Sequence, residues 1–160
     1  MYIIMDYKYN MHRTEYLLLK NIENQIGGAK KNKRFKKKKL SHNNMDIKYV
    51  EHLSEPWFTL IGLGLKTVEG RRNKGKFKEM KVGDIIQWTN DDFDNRTVLT
   101  KITKKEEYNT FSEYLSNEGL ENCLPGMPSL EHGLSVYFKY FTKEDEKEFG
   151  VIAIHLELIK

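Results

Sequence analysis

Apolar positions along the chain fall into short clusters with different periods, and each period predicts an element. In residues 14–26, Leu18, Leu19, Ile22 and Ile26 recur at roughly helical spacing until Gly27-Gly28 stops them, which predicts a short helix that is marginal on its own. Ser54-Glu55-Pro56-Trp57-Phe58 reads as a helix entry, with Ser54 as N-cap and Pro56 in the first turn, where its missing N–H does no harm. Trp57 or Phe58, Leu60 or Ile61, and Leu65 supply the apolar face, and Gly62 and Gly64 close the helix. From Lys66 to Arg71 the pattern alternates as a strand does, and Lys74-Gly75-Lys76 reads as a loop. Val82-Gly83-Asp84 turns into Ile85-Ile86-Gln87-Trp88-Thr89. A polar turn, residues 90–95, joins this run to residues 97–102 and predicts a β-hairpin with a longer loop.

Further on, Thr110 caps a helix that buries Phe111, Tyr114 and Leu115 and ends at Gly119. Leu124-Pro125-Gly126 is a turn, and residues 129–141 predict another helix with Leu130, Leu134, Tyr137 (or Phe138) and Phe141 inward. Residues 151–158 form a final strand, mostly apolar and therefore central. Helix, strand, strands, helices, strand is not the regular alternation of a doubly wound sheet; it suits an α+β chain folded as a compact mixed barrel with flanking helices.

Composition divides the chain in two. A length of 160 residues allows one ordinary domain with a single core and a tail. The net charge of +4 comes from one place: between Lys30 and Lys39, eight of ten residues are Lys or Arg. Residues 46–160 hold 16 basic and 20 acidic residues, a net charge of −4. Residues 1–45 are therefore read as a basic, largely disordered N-terminal extension, since like charge this dense stays extended and solvated. Met45 offers an alternative translation start. The Lys30–Lys39 run fits a nuclear-localisation-like signal, a non-specific nucleic-acid arm, or solvated charge without a role. No apolar run approaches a membrane span, Cys123 has no partner for a disulfide, and the five histidines lack metal-ligand spacing. An intracellular protein without metal or cofactor is expected.

Several separate pieces, in order, resemble the ASCH family of the PUA-like superfamily. They are Glu55-Pro56-Trp57-Phe58, Gly64-Leu65-Lys66-Thr67-Val68-Glu69-Gly70-Arg71, Lys81-Val82-Gly83-Asp84-Ile85-Ile86 with Asn90, and Phe111 with Tyr114-Leu115. Leu124-Pro125-Gly126, Tyr137-Phe138-Lys139-Tyr140-Phe141 and Gly150-Val151-Ile152-Ala153-Ile154 complete the set. The resemblance implies a PUA-like mixed β-barrel over residues 46–160. It also implies a cleft between barrel and helices, lined by the Gly-x-Lys-Thr-x-Glu-x-Arg segment, and action on RNA or nucleosides. Some bacterial members hydrolyse the acetyl group of N(4)-acetylcytidine; others are described as ribonucleases or RNA-binding domains.

Lys66, at the helix-to-strand junction, can bind a phosphate as a point charge or serve as a base if burial lowers its pKa; the alternative is a solvated surface lysine. Glu69 meets Lys66 only if the junction is still turning, because strand side chains alternate. Arg71 shares the face of Glu69 and can hold an anion bidentately, or the group can be a structural ion pair at the barrel rim. From Lys66 to Lys81 there are seven basic and two acidic residues, a local +5 that adds Arg72, Lys74 and Lys76 to the candidate binding set, to which the family motif implies Thr67 also belongs. Trp57, Phe77, Trp88 and Phe93 are the aromatics near it, with core packing the better reading for the two tryptophans.

The acetylcytidine hydrolases carry a threonine nucleophile where this chain has Glu69, and a carboxylate cannot inherit that role in acyl transfer. Were the protein an enzyme, Lys66, Glu69 and Glu118 are the catalytic candidates. Residues 70–76 fit the start of a phosphate-binding P-loop, but Phe77 replaces the required Ser or Thr and the motif is rejected. Binding of RNA or a modified nucleoside is the first expectation, a small hydrolase the second, and a protein-interaction scaffold the third.

Overall fold

A computed structural model describes residues 45–90 and 96–160 of the chain. The expected helix over 14–26, the disorder of the extension, the Lys30–Lys39 run and the centre of the hairpin loop lie outside the described residues. Within the unit Asn44–Lys160 the elements run β1 (Ile47–His52), α1 (Trp57–Gly62), β2 (Val68–Arg72), α2 (Lys76–Glu79), β3 (Ile85–Asn90) and β4 (Arg96–Tyr108). They continue as α3 (Phe111–Glu118), α4 (Leu120–Cys123), α5 (Leu130–Tyr137), α6 (Lys143–Phe149) and β5 (Val151–Leu158).

One five-stranded sheet has the order β1-β3-β4-β5-β2, with β1 parallel to β3 and every other pair antiparallel. The two edge strands come together across the curl of the sheet. Arg71 on β2 donates to the carbonyl of His52 on β1 at 3.4 Å, and Lys76 just beyond β2 pairs with Glu51 at 2.7 Å. The result is a curled half-barrel with helices packed outside it, an α+β architecture as expected.

β5 explains its own composition. Val151 and Ala153 face the helical layer, while Ile152, Ile154 and Leu156 face the barrel interior with Phe58, Ile61, Met80, Ile86, Trp88 and Ile102. A strand covered on both faces needs an unbroken apolar run rather than an alternating one, and β5 does lie inside the sheet, between β4 and β2. Trp88 is fully buried and donates from its indole Nε1 to Thr100 Oγ1 at 2.8 Å, which satisfies its one polar atom.

Several local expectations change. β1 was not foreseen: its residues leave Ile47 and Val50 exposed, so the strand carries little alternation to read. Ser54 does not cap α1. Pro56 holds the N-cap position, and the Glu55 carboxylate takes one orphan donor instead, accepting from Thr59 N at 3.2 Å, and also accepts from the Thr59 hydroxyl at 2.9 Å. Leu65 is 55% exposed, because the chain has already left the helix when it reaches that residue. The strand-like stretch opens only at Val68, Lys76 of the expected loop already begins a helical turn that runs to Glu79, and β4 extends to Tyr108.

The predicted helix over 129–141 ends at Tyr137, where Tyr137 and Phe141 stack on Phe111 at 4.5 and 5.3 Å between centroids. α6 then begins behind a capping box between Thr142 and Asp145, a signal present in the sequence but not read. Thr110 caps α3 as expected, accepting from Glu113 N, and Ser129 caps α5, accepting from His132 N.

Gly150 joins α6 to β5 at φ +66°, and a Cβ there would lie 2.7 Å from the carbonyl oxygen of Tyr108. Gly150→Ala therefore combines left-handed strain with a backbone clash, and is expected to destabilise the fold by about 3 kcal/mol in urea titration. Gly64→Ala, at φ +71° but with open space, is expected to cost about 1 kcal/mol in the same measurement.

Candidate functional site

The junction between α1 and β2 turns tightly enough to aim one side chain inward. Leu65 N and Lys66 N both donate to the carbonyl of Leu60, and Gly64 takes the positive φ that this reversal needs. Lys66 ends up 2% exposed, buried among the helices rather than solvated. Its ammonium donates to Val68 O at 2.8 Å and to the carbonyl of Cys123, and forms an ion pair with Glu69 Oε2 at 2.9 Å. The turning junction thus brings Lys66 and Glu69 together despite their odd spacing.

Glu69 is 5% exposed and its other oxygen, Oε1, forms an ion pair with Arg71 Nε at 2.8 Å. Burial pushes this carboxyl up, but the charges of Lys66 and Arg71 and their hydrogen bonds more than offset it, holding Glu69 below the ordinary carboxylate range. Two cations on one carboxylate leave the cluster with a net +1. Arg71 is the outer member: it also bonds His52 O and lies over the Phe77 ring at 5.2 Å from the centroid. Behind the cluster, Tyr137 donates to the Tyr114 hydroxyl at 3.2 Å, and Tyr114 donates to Val68 O at 3.3 Å. Burial pushes both phenols well above their usual range. Gly70 is required by this contact, since a Cβ would meet the Tyr114 ring at 2.7 Å.

The cluster forms the floor of a cleft of about 350 Å³. One wall is His52, Leu53, Ser54 and Trp57, from the end of β1 and the start of α1. The other is Leu124 with Val136, Tyr137, Tyr140 and Phe141, from α5 and the turn after it. Trp57 packs against both the barrel core and the helical core, so it spans the layers the cleft separates.

Of the residues singled out from sequence, Lys66, Glu69 and Arg71 line this cleft together; Thr67, Arg72, Lys74, Lys76 and Glu118 do not. Thr67 serves the backbone, donating to Asn122 O and accepting from Leu156 N. Arg72 points to the opposite face, where it pairs with Asp145 and lies over Phe141. Lys74 sits over Phe149 at 4.1 Å, and Lys76 is taken by Glu51. Two of the five net charges are therefore neutralised by acids from distant elements. Glu118 accepts from Tyr108 OH at 2.7 Å and lies 3.0 Å from His155 Nε2; burial and this carboxylate push the Tyr108 phenol up to about 12. Trp88 is core, and Phe93 lies outside the described residues. His52, Val136, Tyr140 and Phe141 were missed as cleft residues, because they come from elements that only the tertiary fold brings to β2. Among the described residues no group of three or more His, Cys, Asp or Glu could hold a metal, and no helix is long and apolar enough to cross a membrane.

A curled five-stranded sheet with outer helices and a cleft floored by a buried Lys–Glu–Arg cluster defines a small α+β domain. The profile of the ASCH domain matches residues 52–160. The chain belongs to the ASCH domain family, which is generally linked to RNA binding. The crystal structure of the hypothetical protein PH0355 is 37% identical to it, with a TM-score of 0.64, covering 69% of this chain and 98% of that one. The solution NMR structure of protein PF0455 from Pyrococcus furiosus is 36% identical, with a TM-score of 0.60, covering 70% of this chain and 97% of its own. A search of curated proteins finds no significant match.

Removing one partner of a buried ion cluster strands the other. Lys66→Met is expected to destabilise the domain by about 3–5 kcal/mol, and Lys66→Met with Glu69→Gln by clearly less than the sum of the single changes. Because the folded-state pKa of Glu69 is depressed, its contribution is present above the unfolded value and lost as pH falls through the folded one. Urea unfolding of the wild type should thus weaken below about pH 4.3, and Lys66→Met should flatten that acid limb.

Proposed function

We propose that the cleft binds RNA or a modified nucleoside. Arg71 is the cation that meets the ligand, and Lys66 and Glu69 are the fixed support that aims it. The observation that carries this reading is the size and lining of the cleft: about 350 Å³, with aromatic walls over a floor of net positive charge. That volume is at the lower end of small-molecule sites, the size of one nucleoside rather than a helical segment. The ammonium of Lys66 is buried and engaged by Val68 O, Cys123 O and the Glu69 carboxylate, whereas Arg71 is the less buried cation and keeps N–H groups beyond the one it donates to His52. A guanidinium fixed at one edge and stacked on Phe77 is prepared to hold a phosphate or a base carbonyl bidentately.

The same geometry weighs against hydrolysis. An acyl transfer needs a nucleophile and a base with a free lone pair. Glu69 stands at the hydroxyl position of the hydrolase relatives and has each oxygen paired with a cation, which lowers its basicity, and Thr67 is not among the residues that line the cleft.

Titration of the full chain with cytidine, N(4)-acetylcytidine and a short RNA tests the reading, with chromatography of the same mixtures for released cytidine. Binding is expected without turnover, and Arg71→Ala should weaken it roughly 10- to 100-fold, the worth of a charge-assisted contact. Cytidine appearing from N(4)-acetylcytidine would establish the enzyme instead, and absence of all binding would leave the scaffold reading.

A further inference from the structure

The turn between α5 and α6 holds its aromatic residues unequally. Phe138 packs edge-on against Phe111 and carries Lys143 over its face at 3.7 Å. Phe141 is stacked on Phe111 and covered by Arg72, whose guanidinium is itself tied to Asp145 of the α6 capping box. Tyr140, between them, is 65% exposed, and its side chain makes no hydrogen bond or ring contact among the described residues. Among the described residues it is the most exposed of the large apolar side chains and the one of that group that lines the cleft. A ring held on a braced backbone yet left uncovered at a cleft mouth forgoes burial that both its neighbours obtain.

We infer that Tyr140 is a stacking platform that selects an unpaired base, so that the cleft takes a free nucleoside or a base splayed from a single strand and excludes duplex RNA. The inference rests on the nucleoside-binding reading of the cleft and adds a rule for which nucleic acids can enter. The rigid turn presets the ring, so little conformational freedom is lost when a base covers it. Stacking uses the π-face that every base shares, while Arg71 on the floor meets the polar edge or the phosphate. A paired base offers neither face nor edge to a cleft of this size. Arg72, which never touches the ligand, becomes a positioning residue for the wall through Phe141 and Asp145.

The test uses the full chain with three probes: uncharged adenosine, a single-stranded hexaribonucleotide, and a duplex containing that strand. Adenosine carries no charge for the Lys30–Lys39 run to attract, so it reports the cleft alone. Tyr140→Ala is expected to lower affinity for adenosine and the single strand roughly 5- to 100-fold, with its unfolding midpoint unchanged. Tyr140→Phe, which keeps the ring, should stay within about twofold of wild type, and the duplex should bind more weakly without depending on Tyr140. Wild-type affinity in Tyr140→Ala, equal losses in Tyr140→Phe, or duplex binding with the same dependence on the ring overturns the inference. If Arg71→Ala weakens binding while Tyr140→Ala does not, the cleft reading stands and the stacking role falls. If the wild type binds none of the probes, the cleft reading itself is wrong.

Discussion

A lysine whose buried ammonium is held by two carbonyls and a carboxylate organises more of a small domain than its one position suggests. Lys66 draws together the carbonyl of Val68 at the start of β2, the carbonyl of Cys123 at the end of α4, and the carboxylate of Glu69. Desolvating that charge is costly, and only complete pairing offsets the cost. Everything near it follows. Gly64 must allow the reversal that turns Lys66 inward, Glu69 must stay ionised, and Gly70 must lack a side chain so that Tyr114 can close over the strand.

The charges of the same segment show how far local counting can mislead. Seven basic residues between Lys66 and Lys81 read as a positive patch, yet Glu51, Glu69 and Asp145 each claim one or more of them. Two of those acids lie outside the segment, on β1 and α6, so no window along the chain could have revealed the pairing. What remains at the cleft is a single well-placed guanidinium. Specific recognition by geometry is a better description of such a floor than broad attraction of a polyanion.

The fold class and the cluster were legible because their signals are local or nearly so. Turn residues, the cap at Thr110, and the doubly covered strand β5 each name their element from a few neighbours. What was not legible is equally specific. β1 pairs parallel with β3 and keeps apolar residues exposed, so alternation is lost. The second cleft wall depends on Tyr137 and Phe141 both stacking on Phe111, which breaks a helix that periodicity alone would continue. Tyr140 was invisible as a site residue for the same reason: in a continuous helix it is merely one more surface position.

The sheet order carries a consequence for when the site can exist. β2 holds Glu69 and Arg71, yet its one hydrogen-bonded neighbour in the sheet is β5, with Val68 opposite His155 and Arg72 opposite Val151. Those partners are separated by about 80 residues of chain, and closing so long a loop comes late in folding. During synthesis the hairpin of β3 and β4 can pair as soon as it emerges. The strand bearing the ion cluster must wait, its charged residues still in water, until the last strand arrives to complete the sheet around it.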